Sequence, residues 1–521
     1  MNLHASQSEI DVLEDVLRRA QPGEGVVATK VALAWHLRQR DSGRTLQLVQ
    51  DVMPVVRASR ASTHGDAVAS CHARAALAAA EASALFGETV EAERCLVDAR
   101  AHLDPAWDPH AEGDAWLVES LVARLRGQAE RLHAALRQAS RCFARLQDRE
   151  RLEVAQAWIT FERTAACPDA QSAVPWPGPS ECREADAARD AILAAAQALE
   201  LSCTNPATAA RLFSWAADVA RARGLVLLEL LCMLEGGAAI HGLGDVDRAA
   251  RCFDAAALRA RATAWPLLVV LCDIHLGALL CDLGAFDESR RTLEVCVEAL
   301  SAHPRGTFLA GAHAALARTL LATQRIAEAV AQMDAAMALL RASDGQRDLA
   351  VNLILHARVL AAASQPGRAV DALSEARSLV EARGFDAMRV ALHQAEADLH
   401  QRFALAPPAG MTLPSPALHH AEAALAHGQH LTGWSPRASL LDFLAERWAE
   451  TGDHERAYGY ARRALAAKER ETAQKMSYPL ALLRVRRHAE VRAGPAHAAA
   501  TNASAVARTT IPATRRAPRV Q

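Results

Sequence analysis

GDVDRAARCFDAA, residues 244–256, is the stretch whose reading decides the fold. Gly244 can close one helix in a left-handed turn, and Asp245 or Asp247 can cap the next. Ala249, Phe253 and Ala256 then fall at helical spacing on one face, small residues around a large one. Forty residues on, the same positions hold Gly284, Ser289, Leu293 and Cys296. A second step gives Gln324, Ala329, Met333 and Ala336, and a third Ser364, Ala369, Leu373 and Ala376, without a gap. Seven residues before each marker stand Gly237, Gly277, Ala317 and Ala357, small where two helices must approach closely. Such a period is the mark of stacked helical hairpins. Each unit reads as helix, turn, helix, with CMLEGGAAIHGL before the Gly244-Asp245 turn and DRAARCFDAAALRARA after it.

Outward from this centre the beat continues. Backward it reaches Thr204, whose TNPATAARLF mirrors GDVDRAARCF, and LFGETVEAER and RLRGQAERLH place Gly87 and Gly127 forty apart. Gly43 marks the first unit. Forward the register reaches Ala404, then APPAGMTLPSP delays it, so the marker returns at Gly452. The expectation is an all-α, right-handed superhelical solenoid of about ten antiparallel hairpins. Its parts are N-terminal hairpins over 1–166, a Pro-rich loop or linker over 167–186, a central solenoid over 187–404, C-terminal hairpins over 405–466, a connector helix over 467–492 and a disordered basic tail over 493–521. Pro175, Pro177 and Pro179 forbid a continuous helix in the loop, and Pro479 opens a helical stretch beyond the last hairpin. The tail contains no acid and shows no helical face.

Composition narrows the function. Of 521 residues 51% are hydrophobic and only 4% aromatic, material for tightly packed helices and poor for strands. The formal charge of −2 gives no bulk pull toward nucleic acid or an anionic membrane, and neither is expected as a partner. No apolar run reaches the ~20 residues a membrane helix needs, and the start is not a secretory signal, so a cytoplasmic chain is expected. The eleven cysteines form no C-x-x-C pair and read as small buried hydrophobes. Cys232, Cys252 and Cys272, twenty apart, should lie at comparable depth on successive helices.

GDVDRAARCFDAA and GDHERAYGYARRAL (452–465) resemble the second half of a tetratricopeptide repeat, and Gly237 and Gly277 match that family's close-packing position. The unit departs from the family in being forty residues long, against a norm of about thirty-four, and in diluting its aromatics to Ala and Leu. Two further stretches, VALAWHLRQRDSGRTLQLVQDV (31–52) and LLDFLAERWAETGDHERAYGYARRALAAKERE (440–471), look like the ends of repeat regions that precede bacterial GGDEF-type diguanylate cyclases. No GGDEF or GGEEF run is present, so cyclase activity is not expected. A truncated sensor region is one alternative, and a component of a helical-repeat transcriptional regulator is another.

The resemblance implies that the first helix of each hairpin lines a concave groove, which places Leu234, His241, Ile274, Arg318, Ile354 and Arg358 there. Arg318 and Arg358 share a register on adjacent units, and helices packed roughly 8–10 Å apart would let them flank one carboxylate or phosphate. The competing reading pairs each with an acid such as Asp348 or Glu396. His241 and His313 read as groove or core histidines with satisfied hydrogen bonds. Trp448 packs the terminal hairpin, and Trp434, beside Pro436, is a candidate for a partner-binding loop. His419, His420, His427 and His430 crowd one helix, with three of them able to share a face; a single solvent-facing helix offers no fixed cage, so no metal is expected. No nucleophile elbow, phosphate loop or H-E-x-x-H occurs, and neither enzyme activity nor a cofactor is expected. The resulting expectation is a sensory or protein-interaction module that takes a peptide or protein in its groove, with the C-terminal helix a candidate for a homodimer contact.

Overall fold

The computed structural model describes residues 2–19, 24–59, 65–166, 178, 186–301, 306–343, 345–408, 410–476 and 478–493. The Pro-rich stretch 167–182, apart from Gly178, and the tail from 494 onward lie outside these residues. Among the described residues there are twenty-three α-helices and no strand. The first eight are α1 (Gln7–Arg19), α2 (Glu24–Leu37), α3 (Ser42–Ser59), α4 (Gly65–Leu85), α5 (Thr89–Arg100), α6 (Ala111–Arg126), α7 (Ala129–Leu146) and α8 (Arg149–Ala166). Next come α9 (Ala187–Leu201), α10 (Pro206–Arg223), α11 (Val226–Gly242), α12 (Val246–Thr263), α13 (Pro266–Asp282), α14 (Phe286–Ser301), α15 (Gly306–Ala322) and α16 (Ile326–Arg341). The last are α17 (Gln346–Ala362), α18 (Pro366–Arg383), α19 (Asp386–Arg402), α20 (Pro416–Gln429), α21 (Ala438–Glu450), α22 (His454–Lys475) and α23 (Tyr478–Ala493).

The chain is a solenoid of helix hairpins. Each helix from α1 to α22 packs on its chain neighbours within that span, and the odd-numbered helices from α9 to α19 also touch one another in succession, forming a continuous inner layer. The four markers of the forty-residue beat all sit at left-handed φ: Gly244 at 87°, Gly284 at 78°, Gln324 at 60° and Ser364 at 57°. Asp245 caps α12 by accepting from Arg248 N at 3.1 Å. A second left-handed series, unread in the sequence, closes the outer helices at Gly224, Ala264 and Gly384. Small residues at the marker-minus-seven position are required by contact: a Cβ on Gly237 would meet the Phe253 ring at 2.5 Å, and one on Gly277 would meet Leu293 at 2.7 Å. Phe253 and Leu293 are fully buried, each worth about 1.5–3 kcal/mol of burial. Cys232 and Cys272 are buried as expected, whereas Cys252, on an outer helix, is only half-buried.

The N-terminal hairpins add a buried ionic core that the apolar pattern did not announce. Asp114, fully buried, accepts from Arg74 at 2.5 Å and from Arg151 at 3.1 Å. Arg38 pairs with Glu81 at 2.7 Å, and the guanidinium groups of Arg38 and Arg74 lie 4.0 and 4.7 Å from the Trp35 ring. In the terminal hairpins Glu422 accepts from Trp448 Nε1 at 2.6 Å and from Tyr460 Oη at 2.8 Å.

Successive turns of the coil touch. Arg40 donates to Ala222 O at 3.1 Å, Leu227 N to Gln39 Oε1 at 3.3 Å, Trp265 Nε1 to Ser42 Oγ at 3.1 Å, and Ala387 N to Cys203 O at 2.8 Å. The three contacts made by Arg40, Gln39 and Ser42 join residues 182, 188 and 223 apart, about five forty-residue units. The chain's own C-terminal helix returns to the middle of the coil: α23 lies on α12 and α13, buries Ala481 and Val485 in the main core, and joins Arg486 to Glu288 of α14. The C-terminal region thus supplies one wall of the concave side, where the sequence pattern alone suggested a free inner wall.

Candidate functional site

The solenoid and the C-terminal region together line an open cavity of about 800 Å³. Its solenoid wall is the turn after α11 with His241 and Asp245, Asp282 at the end of α13, Arg358 of α17, and Val390 and Gln394 of α19. The opposite wall comes from the C-terminal region: Trp434 and Arg437 in the α20–α21 loop, Arg470, Glu471 and Lys475 on α22, and Tyr478 at the start of α23.

Each carboxylate at this cavity already has a partner. Asp245 is the α12 cap, and Glu471 accepts from Ala438 N at 2.8 Å. Asp282 accepts from His241 Nε2 at 2.5 Å and pairs with Arg318 at 3.5 Å. Burial opposes charge on Asp282, but the His241 hydrogen bond and the Arg318 field outweigh it and hold the carboxyl below its ordinary range. The cations differ. Arg358 is half-buried, its Nε is buried without a hydrogen-bond partner, and burial lowers its proton affinity against the nearest opposing field, from Asp398. Arg437, Arg470 and Lys475 stand exposed on the facing wall.

Of the residues singled out in the sequence, His241 and Arg358 line the cavity. Arg318 is tied down just behind it, donating to Ala278 O at 2.7 Å and pairing with Asp282. Leu234, Ile274 and Ile354 are buried in the main core, where they fill space between helices. His313 bonds Gln332 at 2.6 Å. Trp434 does belong to the loop flanking the cavity. Arg437, Arg470, Lys475 and Tyr478 went unread, because their place on the cavity depends on the C-terminal region folding back across the coil, which no local pattern encodes.

The histidine-rich helix α20 is not a lone solvent-facing helix. His420 is buried against α19, where it meets His393 and Glu396, while His430 stays exposed and away from them. Burial works against charge on Glu396, yet hydrogen bonds from His393 and His420 and the nearby Arg377 hold its carboxyl far below the ordinary range. No helix among the described residues is long and apolar enough to cross a membrane.

No family model matches this chain, and no curated protein sequence matches it. Solved structures similar to it include the Rap conjugation gene regulator of the plasmid pLS20 in complex with the Phr* peptide, at 13% identity and a TM-score of 0.43, covering 71% of this chain and 96% of that one. The APC/C hetero-tetramer Cut9–Hcn1 is similar at 13% identity and a TM-score of 0.43, covering 91% of this chain and 86% of that one. A human IFIT1 dimer with m7Gppp-AAAA is similar at 13% identity and a TM-score of 0.36, covering 80% and 94%.

Proposed function

We propose that this chain is a non-enzymatic binding module, a sensory or protein-interaction component of a bacterial signalling system, whose ligand is a short acidic peptide or the acidic end of a protein. The observation that carries this reading is Arg358, whose Nε is buried without a partner beside a cavity of about 800 Å³. A buried donor left unpaired costs about 1–3 kcal/mol, which a ligand carboxylate would recover. Arg437, Arg470 and Lys475 on the opposite wall supply further positive charge, and the lining carboxylates are already engaged. The size suits a ligand of a few residues better than a docked helix, since ordinary small-molecule sites span roughly 300–1,000 Å³. A ligand bridging Arg358 and Arg437 would tie the solenoid wall to the C-terminal region, so its binding would be relayed through α22 and α23. A homodimer would have to use the outward face of α23, where Leu480 and Leu483 remain exposed.

The test is fluorescence polarisation with dye-labelled hexapeptides rich in Asp and Glu, set against matched Asn/Gln-rich peptides. The wild type should favour the acidic set. R358M and R437M should each weaken that binding at least ~10-fold, the size expected for losing a charge-assisted contact. Equal binding of acidic and neutral peptides, or an unchanged R358M, would discard the cavity as the site.

A further inference from the structure

The structure assigns a divalent metal site, best matched to Zn²⁺, to His393 and Glu396 of α19 and His420 of α20. Three potential ligand atoms converge there from two helices. His393 Nδ1 lies 3.1 Å from Glu396 Oε2, His420 Nδ1 lies 3.1 Å from the same oxygen, and the two Nδ1 atoms are 3.2 Å apart. In a tetrahedral site with metal–ligand bonds of about 2.0–2.1 Å, neighbouring donor atoms are about 3.3 Å apart. The observed triangle is thus nearly the face of such a tetrahedron, and an ion displaced slightly from its plane would reach all three, with a water in the fourth position.

Protons alone serve this arrangement poorly. If both Nδ1 atoms carry hydrogen, the two N–H groups face each other across only 3.2 Å between their nitrogens. If one does not, its lone pair faces that oxygen without a proton between them. A cation at the centre satisfies all three lone pairs together. The surroundings have the supporting features of a metal site. Arg377 Nη2 donates to the other Glu396 oxygen at 2.5 Å, which leaves Oε2 for the ion. His427 stacks on His393 with ring centres 5.3 Å apart, and His400 stacks on His420 at 5.3 Å, so both ligand rings are held in place.

Among the described residues a second histidine–carboxylate cluster, His72, Asp98 and His102, converges less closely. His102 Nδ1 hydrogen-bonds Asp98 O at 2.6 Å, and His72 and His102 contact different oxygens of Asp98, at 2.9 and 3.5 Å. Ordinary hydrogen bonding accounts for it.

The location gives the ion a structural role. Helix α19 contributes Leu392, Ala395 and Leu399 to the main core and Val390 and Ala397 to the separate core of the terminal hairpins. A metal joining α19 to α20 would clip those hairpins to the solenoid across the insert at 403–415. The site stands independently of the ligand proposed for the cavity.

The experiment uses the full, tag-free chain, stripped with chelator and titrated with Zn²⁺ by calorimetry, and with Co²⁺ by visible absorption. The wild type should take up one Zn²⁺ per chain, give tetrahedral Co²⁺ bands and melt at a higher temperature when loaded. H72N/H102N, which removes the other cluster, and H430N, at the C-cap of α20 and outside the triangle, should bind as the wild type does. H393N, E396Q and H420N should each lose at least ~10-fold in affinity. A wild type that takes up no ion overturns the proposal whatever the variants do. So does stoichiometric binding that H72N/H102N abolishes, or that folded H420N retains.

Discussion

Arg486 forks onto both carboxylate oxygens of Glu288, 198 residues earlier in the chain, at 2.6–3.0 Å. The pair marks where the C-terminal helix comes home to the middle of the solenoid, against α12, α13 and the start of α14. It is also exposed, so it contributes orientation more than stability. A double-mutant cycle of E288A and R486A should yield a coupling below about 1 kcal/mol. V485D, which places a charge in the core beneath α23, should cost roughly 3 kcal/mol and release the helix. Hydrogen exchange would then rise in α23 and on the face of α12 it covers. Equal losses for R486A and V485D would mean that burial does not hold α23 in place.

Gly237 faces the Phe253 ring at a distance that leaves no room for a methyl group. G237A should therefore destabilise by about 1–3 kcal/mol in urea melts, even though alanine is the better helix former. Trimming the ring with F253L should recover part of that loss. Full additivity of the two changes would show that the residues do not meet.

Gln324 and Ser364 hold left-handed turns at φ of 60° and 57°, where their sister units use glycine. Q324G and S364G should each stabilise by about 0.5 kcal/mol, while G244A should cost about 1 kcal/mol. A stabilising G244A would contradict the shared turn geometry.

His275 stacks on Phe253 with ring centres 4.9 Å apart, and burial pushes its pKa down to about 4. In the unfolded chain it titrates near 6.5, so protons bind the unfolded state more readily. Its contribution is constant above about pH 6.5, and stability falls as pH drops from there toward 4, by roughly 2–3 kcal/mol in all. H275Q should flatten that part of the stability profile. A variant with the wild-type slope would place the loss in other groups.

Much of the architecture was legible one unit at a time. Gly244, Asp245, Ala249 and Phe253 act within one hairpin or between neighbours, so local chemistry repeats wherever the residues repeat. That is why the helix–turn–helix units and their markers could be aligned even where glutamine or serine replaces glycine, although the left-handed turn was read only at glycine. The candidate site was legible only in part. His241 and Arg358 lie on the cavity, but Leu234, Ile274 and Ile354 went into the core, because a family position fixes which helix a residue is on and leaves its rotation against neighbouring turns open.

The four histidines over 419–430 were visible as a run, but their meaning was not. His393 and Glu396 lie twenty or more residues away, across a Pro-rich insert, and only packing brings them to His420. By itself the sequence determined that this chain coils helix hairpins with a forty-residue step, since close packing of adjacent helices is a nearest-neighbour property. Only the tertiary structure decided that successive turns touch, that α23 packs back on α12 and α13, and which charges face the cavity. Those outcomes depend on small rotations accumulated over about five units, a sum to which every interface contributes and which no single motif encodes.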